Sequence, residues 1–430
     1  MTRFSVTLKV FSLLLRNPAL IWGLMSGRSI VSFLRILLAP NFDAVITLRQ
    51  VELLAANPHL KDGSVNLEAP AVVIFPVIDW SFRYQRPHHI AVGLAKVGFR
   101  VIYISPVSPR SNGRQKFRVC EKPSPNLCVV SLKTSKLTVR NLHSDLMTPR
   151  EISDVKFAYD QLSKVFKLEA AAIICQHPYW APLISKLDYG KLLYDRLDDH
   201  GAFPGVSGDL LALQEKFMFD IVDGVIATSS RLFESIPSGV KKALIRNACS
   251  PAKFNDAEKT KVNSVIYVGA IEPWFDAGLI DDIAIQRPEI TFHFVGSVSD
   301  QDAKALQRHT NCVFYGELSY VDAMAKVARS SVGIIPFHIN GLTLATNPVK
   351  FYEYLSFGLP VVATHLPELE GLEGIDVYTV GSPREFLAAL DQAMVRAACP
   401  IQKAKRIAWA GENTWEKRVE EIQLFLPQLN

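Results

Sequence analysis

Asn347-Pro348-Val349-Lys350-Phe351-Tyr352-Glu353-Tyr354-Leu355-Ser356-Phe357-Gly358-Leu359-Pro360-Val361-Val362-Ala363-Thr364 reads as a helix running into a strand. Asn347 is placed to cap the helix. Pro348 suits its first position, where no intrahelical N–H bond is lost. Phe351, Tyr352 and Leu355 supply an apolar face. Gly358 ends the helix, Pro360 blocks its continuation, and Val361-Val362-Ala363 has the composition of a short buried strand. Lys350 and Glu353 lie three residues apart and so share a face. A cation beside the open N–H groups of a helix N-terminus suits a diphosphate. A carboxylate one turn further suits the two hydroxyls of a ribose. The same pattern also fits an ordinary αβ unit with a surface ion pair.

The chain around this stretch has 430 residues, enough for two domains of roughly 150–200 residues each. Hydrophobic residues make up 49%, so the chain folds around real cores. The net charge of +5 is mild and uneven: residues 1–42 hold Arg3, Lys9, Arg16, Arg28 and Arg35, with no acid before Asp43. The near-neutral remainder excludes a general nucleic-acid binder. Cys120, Cys128, Cys175, Cys249, Cys312 and Cys399 form no C-x-x-C pair and no zinc-spaced cluster with histidine. They read as free thiols of a reducing cytoplasm, and no metal site is expected.

Residues 4–40 alternate apolar runs with single basic residues, and none of the runs reaches the ~18–20 residues of a bilayer span. No signal-peptide cleavage pattern follows them. Two short helices, broken near Pro18 or Gly27, would gather Phe, Leu, Ile and Trp22 on one side with arginines flanking. That composition suits an interfacial helix on an anionic membrane, or a helical pair packed on the protein body. Residues 41–70 read as a linker with a short helix from Leu48 to Ala56.

A regular βα alternation starts at Ala71. Val72–Phe75 is a strand, His88–Val97 a helix and Arg100–Ser105 a second strand, which is one parallel βαβ unit. The loop between the first strand and its helix carries Asp79, Trp80, Arg83, Gln85, Arg86 and His88. It lies where ligands of parallel sheets bind, and its residues suit a polar, ring-shaped ligand. It lacks Gly-x-Gly-x-x-Gly, so a dinucleotide is not indicated. Helices are expected at 151–166 and 209–222, and strands at 171–176, 191–194, 224–228 and 240–245. The polar stretch 251–263 marks a boundary, after which strands 264–268, 291–295, 313–315 and 332–336 alternate with helices, 320–329 among them. Helices 385–398 and 403–426 close the chain. Two αβ halves place a cleft between facing strand ends, with a nucleotide in one half and a second substrate in the other.

Several segments then carry a family resemblance. They are Tyr267-Val268-Gly269-Ala270-Ile271 with Trp274-Phe275-Asp276, Phe294-Val295-Gly296-Ser297, Val313-Phe314-Tyr315-Gly316, Ile334-Ile335-Pro336-Phe337 and the opening stretch. They resemble the donor domain of glycosyltransferases of the GT-B architecture. The loop from Asp79 to His88 and Asp223–Ser229 also resemble bacterial enzymes of cell-surface polysaccharide synthesis, the teichuronic-acid-type transferases among them. The resemblance spans roughly residues 71–426. It implies an α/β fold of two Rossmann-like domains facing across a cleft, with a helical extension in front. The expected boundaries are 1–70 for the extension and linker, 71–250 for an acceptor domain, 251–395 for a nucleotide-sugar domain, and 396–430 for a helix crossing back to the first domain.

The departures shape the expected mechanism. Retaining enzymes of this fold usually show two glutamates eight apart. Glu353 fits the second, but position 345 is Ala345. The usual Arg and Lys phosphate clamp is missing from Gly269 to Asp276, which leaves Lys350 to hold the diphosphate. That pattern is closer to the inverting glucuronosyltransferase of xanthan synthesis. By its Tyr-x-x-x-Asp spacing, Tyr194 to Asp198 nominates Asp198 as general base. Asp79 is the second candidate, followed by Asp199 or His200. The resemblance implies a donor site at Asn347, Pro348, Val349, Lys350, Glu353 and Gly269, with Glu272 and Asp276 near the donor sugar, and an acceptor site at Arg83, Gln85, Arg86 and His88. It implies no cofactor, a UDP-linked donor, a lipid-linked or oligosaccharide acceptor, and a peripheral place on the cytoplasmic face of the inner membrane through residues 1–40. The rival expectations are a sugar-nucleotide 2-epimerase and a non-catalytic sugar-nucleotide-binding assembly partner.

Overall fold

The computed structural model describes residues 67–111, 116–203, 206, 208–251 and 263–426. The expected membrane-facing helices and the linker helix lie outside the described residues, as does most of the polar stretch 251–263. Contacts divide the chain into two compact units. The first takes in residues 67–83, 95–173 and 182–190, and the second 84–94, 174–181 and 191–426.

In the first unit, β1 (Ala71–Phe75) pairs in parallel with β2 (Arg100–Ile104), and β2 with β5 (Leu127–Leu132). β3 (Val107–Ser108) and β6 (Thr138–Val139) form a small antiparallel ladder. β4 (Phe117–Ser124) pairs antiparallel with β5, a hairpin that no sequence signal announced. The sequence Phe-Arg-Val-Cys-Glu-Lys-Pro-Ser of β4 is polar and half-buried because the strand has a single neighbour. The helix expected at 151–166 is α2 (Pro149–Phe166). Thr148 caps it in a reciprocal capping box with Glu151, and Pro149 opens it.

The second unit begins within the loop after β1 and holds the start of α1 (Arg86–Lys96). β7 (Ala172–Cys175) leads into it, followed by the short α3 (Ala181–Ile184). β8 (Lys191–Arg196), β9 (Gly224–Ala227) and β10 (Lys242–Leu244) then run parallel side by side, with α4 (Gly208–Ile221) and α5 (Ser230–Glu234) between them in sequence. A six-stranded sheet follows: β11 (Ser264–Val268), β12 (Thr291–Val295), β13 (Cys312–Gly316), β14 (Val332–Ile335), β15 (Val361–Thr364) and β16 (Val377–Val380). Its order is β13-β12-β11-β14-β15-β16, all parallel. That is the doubly wound order, and it reverses direction between β11 and β14, where such sheets bind ligands beyond the strand ends. The central strands are unbroken apolar runs, as burial on both faces demands. The connections carry α6 (Ala277–Gln286), α7 (Gln301–Ala305), α8 (Tyr320–Ala328), α9 (Gly341–Leu344), α10 (Val349–Ser356) and α11 (Pro383–Ala397).

Two expectations are corrected. The helix expected from Asn347 and Pro348 begins one residue later, with Pro348 as its cap residue at φ −75° and ψ 121°. Asn347 does not cap it, because its side-chain oxygen accepts from the Asn247 N–H at 2.9 Å. The C-terminal end of α10 follows expectation: Gly358 sits at φ +75°, Leu359 N donates to Tyr354 O at 3.0 Å and Gly358 N to Leu355 O at 2.9 Å, the paired bonds of a left-handed cap. The single terminal helix expected at 403–426 is two, α12 (Pro400–Gly411) and α13 (Trp415–Phe425). Thr414 breaks it by adopting extended backbone and capping α13. α13 packs on the start of α1. His89 stacks on Trp415 at 4.4 Å, and Gly93 passes so close that a Cβ there would lie 2.3 Å from Val419.

Candidate functional site

The strand ends at the β11/β14 reversal hold Lys350. Gly269 follows β11 at φ +139°, and Gly296 follows β12 at φ +144°. A side chain on Gly296 would put its Cβ 1.9 Å from the Gly269 carbonyl oxygen, so both conformation and space demand glycine there. Gly269 in turn makes room for the lysine, whose ammonium lies 2.8 Å from where a Cβ would stand. The ammonium rests over the Tyr267 ring at 4.0 Å and the Phe337 ring at 4.9 Å. Those ring faces attract a cation and fix a side chain that would otherwise wander. Pro348 offers no side-chain cap, so the first N–H groups of α10 take none. A fixed cation and a helix N-terminus therefore share one strand-end surface.

One turn along α10, Glu353 is buried, with 7% of its surface exposed. Burial pushes its carboxyl up to about 7, against the opposing pull of the Tyr320 phenol and the charge of Lys350. Asn347 is almost wholly buried and Pro348 buried, while Val349 is half-buried. The Asn347 backbone oxygen accepts from Asn247 Nδ2 at 2.6 Å, and its side-chain nitrogen reaches Glu368 at 3.4 Å. The two acids expected near the donor sugar have local partners. Glu272 accepts from the Ser299 hydroxyl. Asp276 caps α6 through the Leu279 N–H at 2.9 Å and faces His338 at 3.5 Å.

Beyond the end of β8, Asp198 is half-buried with Asp199 beside it. Burial, reinforced by the Asp199 charge and opposed by Arg86, pushes its carboxyl up to about 7. Arg196, two residues earlier, grips Glu215 at 2.7 Å. Among the described residues the Asp198 side chain has no hydrogen-bond or ion-pair partner. A carboxyl near neutrality with open lone pairs has the properties of a general base.

Arg86, expected at the acceptor, is buried and spent elsewhere. Its Nε and Nη2 hold Asp195 at 2.9–3.2 Å, and Nη1 donates to the Arg246 carbonyl at 3.1 Å and to Asn247 at 3.3 Å. His88 accepts from the Gln85 N–H at 3.2 Å and stacks on Tyr84. In the first unit, Asp79 is held by the Ser81 N–H and hydroxyl at 3.0 and 2.8 Å and by the Ser105 hydroxyl at 2.6 Å. Those bonds occupy both oxygens and leave Asp79 less suited than Asp198 to take a proton. It lines a small cavity with Trp80, Arg118, Cys120 and Glu121. Arg83 lies over the Phe82 ring at 5.0 Å. Sequence reasoning missed Asn247, Glu368 and Tyr320, which act only through tertiary contacts. Glu368 accepts from Ser230 N at 2.6 Å and Arg246 Nε at 2.7 Å, so it ties the segments after β9 and β10 to Asn347.

Comparison with known proteins agrees with this geometry. Residues 263–396 match the family model described as glycosyl transferases group 1. The chain is 22% identical over 392 residues to TuaH of Bacillus subtilis (strain 168), described as a teichuronic acid biosynthesis glycosyltransferase; the match covers 83% of this chain and 97% of that protein. Among solved structures, the catalytic domain of starch synthase IV from Arabidopsis thaliana, bound to ADP and acarbose, superposes with a TM-score of 0.59 at 11% identity, covering 84% of this chain and 99% of that one. The pneumococcal O-GlcNAc transferase GtfA, in complex with UDP and GlcNAc, gives 0.55 at 10% identity over 84% and 99%. The fold is GT-B.

Proposed function

We propose that this chain is a glycosyltransferase of cell-surface polysaccharide synthesis, moving a sugar from a nucleotide-diphosphate sugar to a saccharide acceptor. The carrying observation is the Lys350 ammonium, fixed on two rings beside the uncapped N-terminus of α10 at the strand-order reversal. Charge that develops on a departing diphosphate meets a preplaced cation and backbone dipoles there. Asp198 takes the proton of the acceptor hydroxyl while that oxygen bonds to the anomeric carbon and the bond to the diphosphate breaks. A single displacement of this kind inverts the anomeric centre. No metal is assigned a role, because Lys350 and the helix supply the positive charge. Glu353 receives the ribose hydroxyls. The donor is UDP-linked and the acceptor lipid-linked. The acceptor belongs to residues 71–250 and the donor to 251–395.

Residues 1–40, basic and apolar, hold the enzyme on the cytoplasmic face of the inner membrane and raise the local acceptor concentration. Among the described residues no helix is long and apolar enough to cross a membrane. Liposome binding that survives deletion of 1–40 would remove this part of the proposal.

The test is transfer of labelled sugar from a panel of nucleotide sugars into lipid extracts of the native membrane, with and without a chelator. Transfer is expected to persist with the chelator and to fall more than ~100-fold in Asp198→Asn. Wild-type transfer in both Asp198→Asn and Lys350→Met would refute the assigned roles.

A further inference from the structure

We infer that Asn247 is a positioning residue for the transfer, fixing where the N-terminus of α10 stands relative to the turn that carries Asp198. The inference rests on the roles given to Lys350 and Asp198 and goes beyond them. Asn247 lies just after β10 and is buried. Its backbone N–H donates to the Asn347 side-chain oxygen at 2.9 Å, and its Nδ2 donates to the Asn347 backbone oxygen at 2.6 Å. One hydrogen bond would leave a pivot, whereas this reciprocal pair fixes direction as well as distance. Pro348 follows at φ −75°, locked by its ring, so the hold on Asn347 carries into α10 and Lys350. On the other side, Asn247 Oδ1 accepts from Arg86 Nη1 at 3.3 Å. The same guanidinium forks onto Asp195, near the end of β8, and Gln176 Nε2 donates to that carboxylate at 3.0 Å. The residues between Asp195 and Asp198 are tied as well. Arg196 holds Glu215, and the Leu197 carbonyl accepts from the Thr228 hydroxyl at 2.7 Å. The Asn247 amide has one workable orientation, because a flip would set Nδ2 against the Arg86 donor and Oδ1 against the Asn347 carbonyl oxygen. An acid or an aliphatic residue of the same size could not serve both neighbours. Buried amide groups lose much by releasing their partners, so the link does not exchange freely with water.

The experiment compares the full-length wild type, Asn247→Asp and a control, Leu390→Ala. Aspartate keeps the shape and the Arg86 contact but puts an oxygen where the Asn347 carbonyl needs a donor, so the N-terminus of α10 shifts. Leu390 is wholly buried in α11, outside the network, and its truncation destabilises the fold without altering these bonds. UDP and ADP affinities are measured by titration calorimetry, and kcat and KM are measured for sugar transfer to the lipid-extracted acceptor. A misplacement of ~1 Å costs on the order of 100-fold in rate. Asn247→Asp is therefore expected to lose about 100-fold in kcat, while nucleotide affinity and donor KM stay within about threefold of wild type. Leu390→Ala is expected to keep kcat within about threefold. A wild-type kcat in Asn247→Asp would overturn the proposal. So would a loss confined to nucleotide affinity and KM, which would make Asn247 a part of the donor pocket. An equal loss of kcat in Leu390→Ala would overturn it too, because the effect would then be one of stability. If Asn247→Asp does not fold, Asn247→Ala takes its place with the same expected split between kcat and affinity. Wild-type transfer in Asp198→Asn would remove the reading of the base whatever Asn247 does, and this inference with it.

Discussion

Lys350→Met separates binding from folding. Two unit charges ~4 Å apart near a protein surface attract by about 4 kcal/mol. Lys350 is half-buried, so water and counter-ions reduce this to roughly 2–3 kcal/mol. A loss of that size lowers kcat/KM for the nucleotide sugar by roughly 30- to 150-fold. Methionine keeps the apolar stem against Tyr267 and Phe337 and forfeits a cation–π contact of about 0.5–2 kcal/mol, so the fold survives. Glu353 also loses a favourable charge, and its carboxyl rises above its present value of about 7. The assay is nucleotide affinity by titration calorimetry at pH 8 for the nucleoside, monophosphate and diphosphate, with kcat/KM alongside. The penalty should grow from nucleoside to diphosphate. An equal penalty at all three, or less than threefold at the diphosphate, would refute the claim that this lysine carries phosphate charge.

Other perturbations follow from the same structure. Wild-type activity should rise with pH through about 7 as Asp198 ionises, and Asp198→Asn should be inactive throughout. The folded carboxyl holds its proton to higher pH than the unfolded one, so it costs stability as pH climbs toward 7. Asp198→Asn should therefore raise the unfolding free energy from urea titration at pH 8, by roughly 1–3 kcal/mol after allowing for partial exposure, and leave it unchanged near pH 3. Gly296→Ala, with its Cβ forced onto the Gly269 carbonyl, should fail to yield folded protein. Gly316→Ala, where nothing lies within 4 Å, should cost only the ~1 kcal/mol of a left-handed backbone, as circular dichroism and unfolding curves can show. Arg86→Met strands the buried Asp195 carboxylate and should cost about 3–5 kcal/mol in urea unfolding; adding Asp195→Leu should recover much of it.

Where the sequence was legible, the reason was burial. β11, β12 and β14 are short, mostly apolar runs ended by Gly269, Gly296 and Pro336, and β15 is an apolar run opened by Pro360. The Gly358 cap and the strand behind it were visible for the same reason. β4 was hidden because its half-exposed sequence carries Arg, Glu, Lys and Pro. The start of α10 was misplaced because Asn347 has the chemistry of a cap but finds better partners in Asn247 and Glu368, 100 and 21 residues away. The break at Thr414 carried only a weak local signal. Among the candidate site residues, Lys350 could be nominated from its place at the start of a helix, and Asp198 from the family resemblance. Arg86 could not be told from a ligand-binding arginine until Asp195 was found opposite it. Tyr320 was invisible, since nothing in its neighbourhood along the chain points to Glu353.

The most direct test counts products. Purified full-length protein, a nucleotide sugar labelled in both sugar and nucleotide, and the lipid-extracted acceptor are mixed, and nucleoside diphosphate and glycosylated acceptor are followed together. The account predicts equal amounts of the two, formed only when acceptor is present, and neither from Asp198→Asn. Release of nucleotide without sugar on the acceptor, or an epimerised donor with no release, would contradict it.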